Sequence, residues 1–172
     1  NLNWFNKIYN IKVANLRYFN AAGYDLNNRI KVIEKNPSNL LPRVMEHLIG
    51  KKENIKIFGN DYNTKDGTCL RDYIHVTDLA TAHIKAIDFL DNNHHPLVVN
   101  LSTGRSHSVL DVINKAQEIS GKNIQYDIVK RRHGDTPELF SKSINSNKIS
   151  WKPEFSSLEV ILESMWKVYK DS

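Results

Sequence analysis

A short apolar strand between two predicted helices is the feature that most limits how this chain can fold. Residues 97–101 are Leu-Val-Val-Asn-Leu, and so apolar a run predicts a strand buried on both faces, as in a parallel sheet. Apolar side chains recur at helical spacing over residues 77–90, and Ser108 with Asp111 has the spacing of a capping box for a helix that ends at Gly121. The alternation of predicted helices and strands along the chain predicts α/β architecture with at least part of a parallel sheet.

The rest of the chain adds further helices and strands joined by polar connections. Helical spacing of apolar residues predicts three more helices, over residues 4–9, 40–50 and 158–169, of which the last should pack into the core. Apolar runs predict three more strands, over residues 11–19, 55–58 and a half-buried 124–128. Clustered asparagine with glycine or proline predicts two long loops, over residues 20–39 and 59–67.

Length and composition exclude several classes of protein. The chain has 172 residues, enough for one or two globular domains with a real core. No apolar run approaches the roughly 18 to 20 residues that cross a bilayer, and the first residues lack the basic-then-apolar order of a signal peptide. We therefore expect a cytoplasmic protein that does not enter a membrane.

Neither a metal nor a nucleic acid is indicated. Cys69 is the single cysteine, and none of the seven histidines belongs to a His-x-x-x-His pair, so the usual metal-ligand spacings are missing. The net charge of +5 comes from lysines and arginines spread along the chain among acidic residues, which is typical of a solvated surface. We predict no bound metal and no nucleic-acid partner.

The usual signatures of catalysis are also missing. The chain contains no Gly-x-Gly-x-x-Gly and no close glycines that would cradle a phosphate. Tyr126 and Lys130 have the Tyr-x-x-x-Lys spacing by which short-chain dehydrogenases pair a tyrosine base with a lysine on one face of a helix. On the strand predicted here the two side chains would lie about 13 Å apart, so we interpret this match as coincidental.

What remains is a set of polar residues suited to binding. Its members are Asn20 at a strand end, Asn39 at a helix start, Arg71 and Tyr73 on either side of Asp72, and Arg132 close to Asp135. Guanidinium groups match phosphate oxygens, and carboxylates accept hydrogen bonds from sugar hydroxyls. The set therefore suits a dianionic ligand with hydroxyl groups, although a surface ion pair explains any single arginine at least as well.

Three stretches carry a resemblance to a known family. They are Leu16-Arg17-Tyr18-Phe19-Asn20, the block from Ile57-Phe58-Gly59-Asn60-Asp61-Tyr62 through Arg71-Asp72-Tyr73-Ile74-His75-Val76 to Asp78-Leu79-Ala80, and Arg131-Arg132-x-Gly134-Asp135. Together they resemble the UDP-glucose 4-epimerases, which are extended short-chain dehydrogenase/reductase proteins, more closely than the related dehydratases and decarboxylases. The similarity is collinear over essentially the whole chain.

The resemblance implies a reaction that needs more than this chain. In the family, NAD lies on an amino-terminal Rossmann domain, a tyrosine removes the proton of the sugar 4-hydroxyl, and hydride passes from C4 to the nicotinamide and back to the other face of the keto sugar. We expect residues 1–172 to be the carboxy-terminal UDP-sugar-binding region of such a protein, without its NAD domain but with residual Rossmann strands near 11–19 and 97–101. The complete protein would be a homodimer acting on UDP-glucose and UDP-galactose.

The resemblance also implies which residues hold the phosphates and the sugars, and no catalytic residue is among them. Arg71 and Arg132 would flank the pyrophosphate, and Asp135 would accept hydrogen bonds from the ribose hydroxyls. Asn20 and Asn39 would meet phosphate and sugar. This set would keep the nucleotide fixed while the keto sugar turns.

The other implied contacts surround the two ends of the ligand. Lys56, Ile57 and Phe58 would hold the uracil, largely through backbone groups. Leu139 would form a wall of the hexose pocket, and Tyr18 would lie beside the nicotinamide of NAD. Two further residues complete the implied substrate contacts, Leu40 and Tyr73.

Two other interpretations stay open. Another UDP-sugar 4-epimerase or a decarboxylase would keep the same UDP contacts, and product analysis with UDP-galactose and UDP-arabinose would identify it. A noncatalytic UDP-sugar-binding protein would never have had a cofactor domain, and the codons upstream of Asn1 would distinguish it from an enzyme.

The resemblance has one consequence for the isolated chain. The strands near Val13 and Val99 are expected to belong to a sheet whose other strands are absent. An incomplete sheet exposes apolar surface and an unpaired edge, so we expect the chain to associate with itself.

Overall fold

Five α-helices, nine short strands and one 3₁₀ helix (Ser146–Ile149) form the regular structure in the part of the chain that the structure describes. It is a computed structural model that describes residues 2–141 and 146–172. The helices are α1 (Leu2–Tyr9), α2 (Leu40–Leu48), α3 (Val76–Asn92), α4 (Val109–Ser120) and α5 (Leu158–Tyr169). The strands are β1 (Ala14–Arg17), β2 (Asn20–Ala22), β3 (Ile55–Phe58), β4 (Leu70–Arg71), β5 (Tyr73–His75), β6 (Leu97–Asn100), β7 (His107–Ser108), β8 (Tyr126–Val129) and β9 (Glu138–Leu139).

The strands pair mostly in parallel, and the predicted α/β class is confirmed. β1 pairs with β6, β2 with β5 and β3 with β8, each in parallel. β4 is the centre of a three-stranded sheet, antiparallel to β7 and parallel to β9. The strands predicted over 11–19 and 97–101 are present as the shorter β1 and β6, and they pair with each other.

Three local predictions were partly wrong. The loop predicted over 20–39 begins with β2, which lacks an alternating pattern and forms because β5 supplies its hydrogen-bonding partner. Strand β8 is present, but Tyr126 and Ile128 are exposed rather than half-buried, because neither apolar cluster of the core includes a residue of β8. In β6 only Leu97 and Val99 are buried, so one face of this strand is covered by the core instead of both.

The helix ends that position the later elements follow from local side-chain chemistry. The hydroxyl of Ser108 accepts a hydrogen bond from the Asp111 backbone N–H, and the Asp111 carboxylate accepts one from the Ser108 N–H, both at 2.9 Å. Helix α4 ends at Gly121, whose φ of 68° lies in the left-handed region that costs glycine little. The predicted capping box and helix end are therefore confirmed.

Two apolar clusters hold the elements together. In the larger cluster α2, α4 and α5 pack around β3 and Tyr73 of β5, as predicted for the terminal helix. In the smaller cluster α3 packs on β6, and Trp151 completes it by donating from Nε1 to the backbone carbonyl of Asp78 at 3.0 Å. Burial of each large apolar side chain stabilises the fold by about 1.5 to 3 kcal/mol, so these clusters fix how the strand ends are arranged.

Helix α1 differs from the other helices because it buries none of its residues. Trp4 is 65% exposed and Ile8 is 62% exposed, and Phe5 stacks on Tyr9 with ring centroids 5.8 Å apart. Apolar surface is thus exposed on α1, whereas Val13 and Val99, near which the incomplete sheet was expected to expose it, are only 7% and 0% exposed. Self-association stays a prediction. None of the helices in the described residues is long and apolar enough to span a membrane.

Candidate functional site

A cavity of about 570 Å³ lies where several strand ends and the start of α2 meet. Eleven of the twelve residues that the sequence singles out line it: Tyr18, Asn20, Asn39, Leu40, Lys56, Ile57, Phe58, Arg71, Tyr73, Arg132 and Asp135. Leu139 is not one of its lining residues. It lies on β9, paired with Arg71 of β4, and is 39% exposed.

Asp72 explains how Arg71 and Tyr73 come to line the cavity together. Successive side chains of extended backbone point to opposite sides, so Asp72 points away from both neighbours and is 1% exposed. Its carboxylate accepts hydrogen bonds from the Ser102 hydroxyl at 2.5 Å and from the Thr103 hydroxyl at 2.6 Å. Asp72 therefore fixes this backbone to the turn after β6, and its oxygens are already engaged.

The same backbone positions Asn20. The side-chain amide of Asn20 donates to the backbone carbonyl of Asp72 at 2.9 Å, and β2 continues from it in parallel with β5. One end of the side chain is thus held by the protein. The amide oxygen stays able to accept a hydrogen bond from a ligand.

Two arginines converge on one carboxylate at the side of the cavity. Arg71 donates to the backbone carbonyls of Leu70 and Thr136 at 2.8 and 3.0 Å, and its Nη2 lies 3.8 Å from Oδ1 of Asp135. Arg132 donates from Nε to Oδ2 of Asp135 at 3.0 Å. Asp135 thus holds two positive groups close together, and two guanidinium groups together outweigh its single negative charge.

Arg131 and Arg132 are adjacent in sequence but have different surroundings. Arg131 donates to the Asp61 carboxylate at 2.6 Å, and its guanidinium carbon lies 3.9 Å from the centre of the Tyr62 ring. This hydrogen bond lowers the pKa of Asp61. Arg132 instead lies 4.5 Å from the centre of the Phe58 ring and lines the cavity, which Arg131 does not.

The start of α2 adds a second group of hydrogen-bond donors. Asn39 is the N-cap residue of this helix, and its side chain makes no capping hydrogen bond, so its amide is available to the cavity. The first turn of α2 carries no acidic residue. Free N–H groups and the positive end of the helix dipole make such a position favourable for a phosphate.

The middle of β3 forms another wall. Ile57 is 2% exposed and belongs to the larger core cluster, which fixes the strand. Its neighbours Lys56 and Phe58 have more exposed side chains. Since β8 is the one strand paired with β3 in the described residues, backbone groups on the other edge of β3 can contact a planar base.

Tyr18 follows β1 at the rim of the cavity. It is 43% exposed, and its ring meets that of His83 edge-on with centroids 6.2 Å apart. It also lines a second, smaller cavity of about 250 Å³ formed with α3. Tyr126, which forms the Tyr-x-x-x-Lys match with Lys130, lies on β8 and not on a helix. The interpretation of this match as coincidental is therefore confirmed.

The sequence-based prediction missed the contribution of α5. Met165 and Tyr169 line the cavity from this helix, although their spacing predicted core packing. Tyr169 is 0% exposed, and burial raises its pKa. Tyr169 thus both packs in the core and borders the cavity. No sequence pattern distinguishes such a residue from one that only packs in the core.

Groups of acidic, histidine and cysteine side chains do not define a metal site in the described residues. No three such side chains come close enough there to hold an ion. The expectation of a protein without a bound metal stays a prediction.

Comparison with known proteins gives a family. Residues 2–102 match the NAD dependent epimerase/dehydratase family. A UDP-glucose 4-epimerase from Halalkalibacterium halodurans is 40% identical over 169 residues, which are 98% of this chain and 51% of that protein. This chain belongs to the NAD dependent epimerase/dehydratase family, since the match covers more than half of it.

Solved structures share the fold as well as the sequence. The UDP-glucose 4-epimerase from Bifidobacterium longum in complex with NAD⁺ and UDP has a TM-score of 0.87 and 32% identity, over 98% of this chain and 50% of that one. The UDP-Glc/GlcNAc 4-epimerase from Campylobacter jejuni has a TM-score of 0.79 and 34% identity, over 98% and 51%. The resemblance to UDP-glucose 4-epimerases is confirmed, and the chain spans about half the length of the curated relatives it matches.

Proposed function

We propose that this chain is the UDP-sugar-binding half of a UDP-glucose 4-epimerase, which interconverts UDP-glucose and UDP-galactose by transient oxidation at C4. The observation that carries the proposal is the convergence of Arg71 and Arg132 on Asp135 at the wall of a cavity that Asn39 and the start of α2 also border. Positive groups on one side and helix N–H groups on another suit a pyrophosphate. The polar side chains around them suit the sugar hydroxyls.

The roles of the individual residues follow this arrangement. Arg71 and Arg132 would flank the pyrophosphate, while Asp135 would hold them in position and accept from a ribose hydroxyl. The available amide of Asn39 would contact phosphate or sugar. The remaining proposed contacts are Asn20, Leu40, Lys56, Ile57, Phe58, Tyr73 and Leu139 to the UDP-sugar, and Tyr18 to the cofactor.

NAD would be held mainly by residues outside this chain. The seven glycines stand apart in the sequence and provide no phosphate-binding turn between a strand and a helix, which dinucleotide binding needs. Tyr18 at the cavity rim is the contact proposed here. When bound, NAD would supply the hydride acceptor, while this chain would keep the nucleotide fixed so that its binding energy holds the sugar in reach.

Five wider expectations also remain proposals. We propose that the complete protein is a cytoplasmic homodimer that takes part in galactose metabolism. We propose that it binds neither nucleic acid nor a membrane. Its basic residues alternate with acidic ones along the sequence, which supports the first of these exclusions.

Two alternatives use the same cavity. A different UDP-sugar 4-epimerase or a decarboxylase would bind UDP in the same way, and the C. jejuni relative is described as a UDP-Glc/GlcNAc 4-epimerase. Products formed by the complete protein from UDP-galactose and UDP-arabinose would identify such an enzyme. A noncatalytic UDP-sugar-binding protein is the third candidate. A start codon immediately upstream of Asn1 would favour it, and an upstream open reading frame with a Gly-x-x-Gly-x-x-Gly turn and a Tyr-x-x-x-Lys pair would favour the enzyme.

Calorimetric titration of the 172-residue chain tests the binding proposal directly. We expect UDP-glucose and UDP to bind, and ADP-glucose to bind far more weakly, because the pocket edge on β3 would have to fit a larger base. Equal affinity for both nucleotides, or none for UDP-glucose, would refute the proposed function.

An activity assay completes the test. We expect the chain by itself neither to bind NAD tightly nor to epimerise, because it lacks the glycine turn and the tyrosine base. Turnover of UDP-galactose by the purified chain would show that this division of labour is wrong.

A further inference from the structure

A buried histidine lies behind the cavity wall, outside the proposed binding set. His75 is 0% exposed, ends β5 and is the N-cap residue of α3. Its Nδ1 accepts a hydrogen bond from the backbone N–H of Thr77 at 3.1 Å. Because that hydrogen bond requires the lone pair of Nδ1, the imidazole is neutral and carries its proton on Nε2.

Ser164 of α5 is the partner of Nε2. Its Oγ lies 3.3 Å from Nε2 of His75, and it also accepts from the backbone N–H of Tyr24 at 3.0 Å. The hydroxyl donates its own proton to the Ile161 carbonyl at 2.7 Å. The donor and both acceptor positions of this hydroxyl are therefore used, and the network joins α3, α5 and the segment after β2.

That segment is part of the cavity wall. Gly23 and Tyr24 both line the cavity. Gly23 has a φ of +89°, and a Cβ atom built on it would lie 2.5 Å from Cδ2 of His75 and 3.2 Å from Oγ of Ser164. The wall thus rests directly on the imidazole and the hydroxyl, with no room for a side chain between them.

We propose that His75 and Ser164 are positioning residues that hold the Gly23–Tyr24 wall in the shape that a nucleotide sugar requires. The inference rests on the proposed function for the identity of the ligand. Neither residue lines the cavity, so both act through the wall. A protonated imidazole could not accept from Thr77, so the network requires neutral histidine.

The groups around the imidazole of His75 affect whether it is neutral. Burial lowers the pKa of His75, and the carboxylates of Asp78 and Asp25 raise it. Both carboxylates are engaged elsewhere, Asp78 with the backbone N–H groups of residues 154 and 155 and Asp25 with Arg29. The groups of Ser164 and Gly23 that lie next to the ring, a hydroxyl and a glycine backbone, are uncharged.

Three variants separate the wall from the helix cap. His75→Asn keeps an acceptor for the Thr77 N–H, since asparagine is a favourable N-cap residue, but its shorter side chain cannot reach Ser164. Ser164→Ala removes the acceptor of the Tyr24 N–H. Ser120→Ala is the matched control, because its hydroxyl also donates to a carbonyl of its own helix at 2.7 Å and accepts from a backbone N–H, that of Lys122, at 3.2 Å, while Ser120 is outside the cavity lining.

Calorimetric titration with UDP-glucose measures the effect on binding. Its phosphates are both esterified, so the ligand does not titrate between about pH 5 and 8, where histidine does. We expect affinities about tenfold weaker for Ser164→Ala and His75→Asn and unchanged for Ser120→Ala, since a buried hydrogen bond contributes about that much. Wild-type affinity should fall on acidification below the ordinary histidine pKa, and the fall should be reduced in His75→Asn.

Amide hydrogen exchange at Tyr24, measured without ligand, judges the proposal independently. Exchange should become at least about tenfold faster in Ser164→Ala and stay slow in Ser120→Ala. Unchanged affinity in both wall variants together with slow Tyr24 exchange would overturn the positioning role. A wild-type chain that binds no UDP-glucose would overturn the proposed function, and the exchange result would then decide the positioning role alone.

Discussion

Helices α1 and α5 carry similar sequence patterns and have opposite environments. Each repeats apolar residues at helical spacing, yet α5 leaves Ile161 and Leu162 0% exposed, whereas α1 leaves Trp4 65% and Ile8 62% exposed. The difference comes from their surroundings, because α5 packs on α2 and α4 while α1 buries none of its residues. Helical spacing of apolar residues therefore predicts a helix, whereas burial of those residues depends on which other elements pack against the helix.

Substitution in the two helices should give the largest contrast. Leu162→Ala leaves a cavity in a packed cluster and should lower the free energy of unfolding by about 2 to 5 kcal/mol. Ile8→Ala removes an exposed side chain and should change it by less than about 0.5 kcal/mol. Urea unfolding followed by circular dichroism measures both, and comparable losses would mean that α1 is packed in solution.

The adjacent residues Arg131 and Arg132 provide a similar contrast at the cavity, because Arg132 lines it and Arg131 does not. In the complete protein, if the proposed function holds, Arg132→Ala should weaken UDP-sugar binding by about 2 to 4 kcal/mol through lost charge-assisted hydrogen bonds. Arg131→Ala is the matched control, because Arg131 is engaged with Asp61 and Tyr62, and it should weaken binding far less. Calorimetry with UDP-glucose distinguishes them, and equal effects would show that the assignment is wrong.

The sequence predicted the fold class and most helices because their signals are local. The capping box of Ser108 and the helix end at Gly121 depend on neighbouring residues, so they could be recognised without the structure. Strand β2 could not, since its backbone is ordered by β5, more than 50 residues later in the chain. The predicted half-burial of β8 was wrong for a similar reason. The exposure of a strand depends on which other elements pack against it, and the strand's own sequence pattern does not encode them.

The site was predictable where a motif carried it and not elsewhere. Arg71 and Arg132 follow from the resemblance, and the structure brings them to the same carboxylate. Tyr169 was missed because a helical apolar pattern describes its burial and not the cavity on its other side. The network through His75 and Ser164 joins residues 89 positions apart, so no spacing rule could reveal it.

Leu139, in a less packed part of the molecule, provides a test of which sugars the complete protein accepts. The family resemblance implies that a bulky aromatic at this position accompanies restriction to UDP-glucose and UDP-galactose, and that a very small residue accompanies acceptance of N-acetylated sugars as well. A hydrophobic wall discriminates by about 1 to 3 kcal/mol. Leucine lies between these two sizes, so under the proposed function we expect the complete protein to prefer UDP-galactose and to convert UDP-N-acetylgalactosamine slowly.

Leu139→Tyr should then abolish the acetylated activity and spare the other, as measured by the two kcat/KM values. Phe140→Tyr is a control at the neighbouring, also exposed position and should leave their ratio unchanged. A ratio that Leu139→Tyr does not alter would remove Leu139 from the pocket, in keeping with its position outside the cavity lining.

The smallest expected effect concerns a buried polar group on the packed side of the molecule. Burial lowers the pKa of His75 below its ordinary value of 6.5, so the unfolded chain binds the proton first as the pH falls. The contribution of His75 to stability is therefore complete above that value and is lost as the pH falls from it through the folded pKa, at no more than about 1.4 kcal/mol per pH unit for one proton. Burial also lowers the pKa of His107, so His75→Gln should reduce the slope of unfolding free energy against pH without abolishing it. Urea unfolding of both proteins across this range measures the slopes, and identical slopes would mean that His75 keeps its ordinary pKa in the fold.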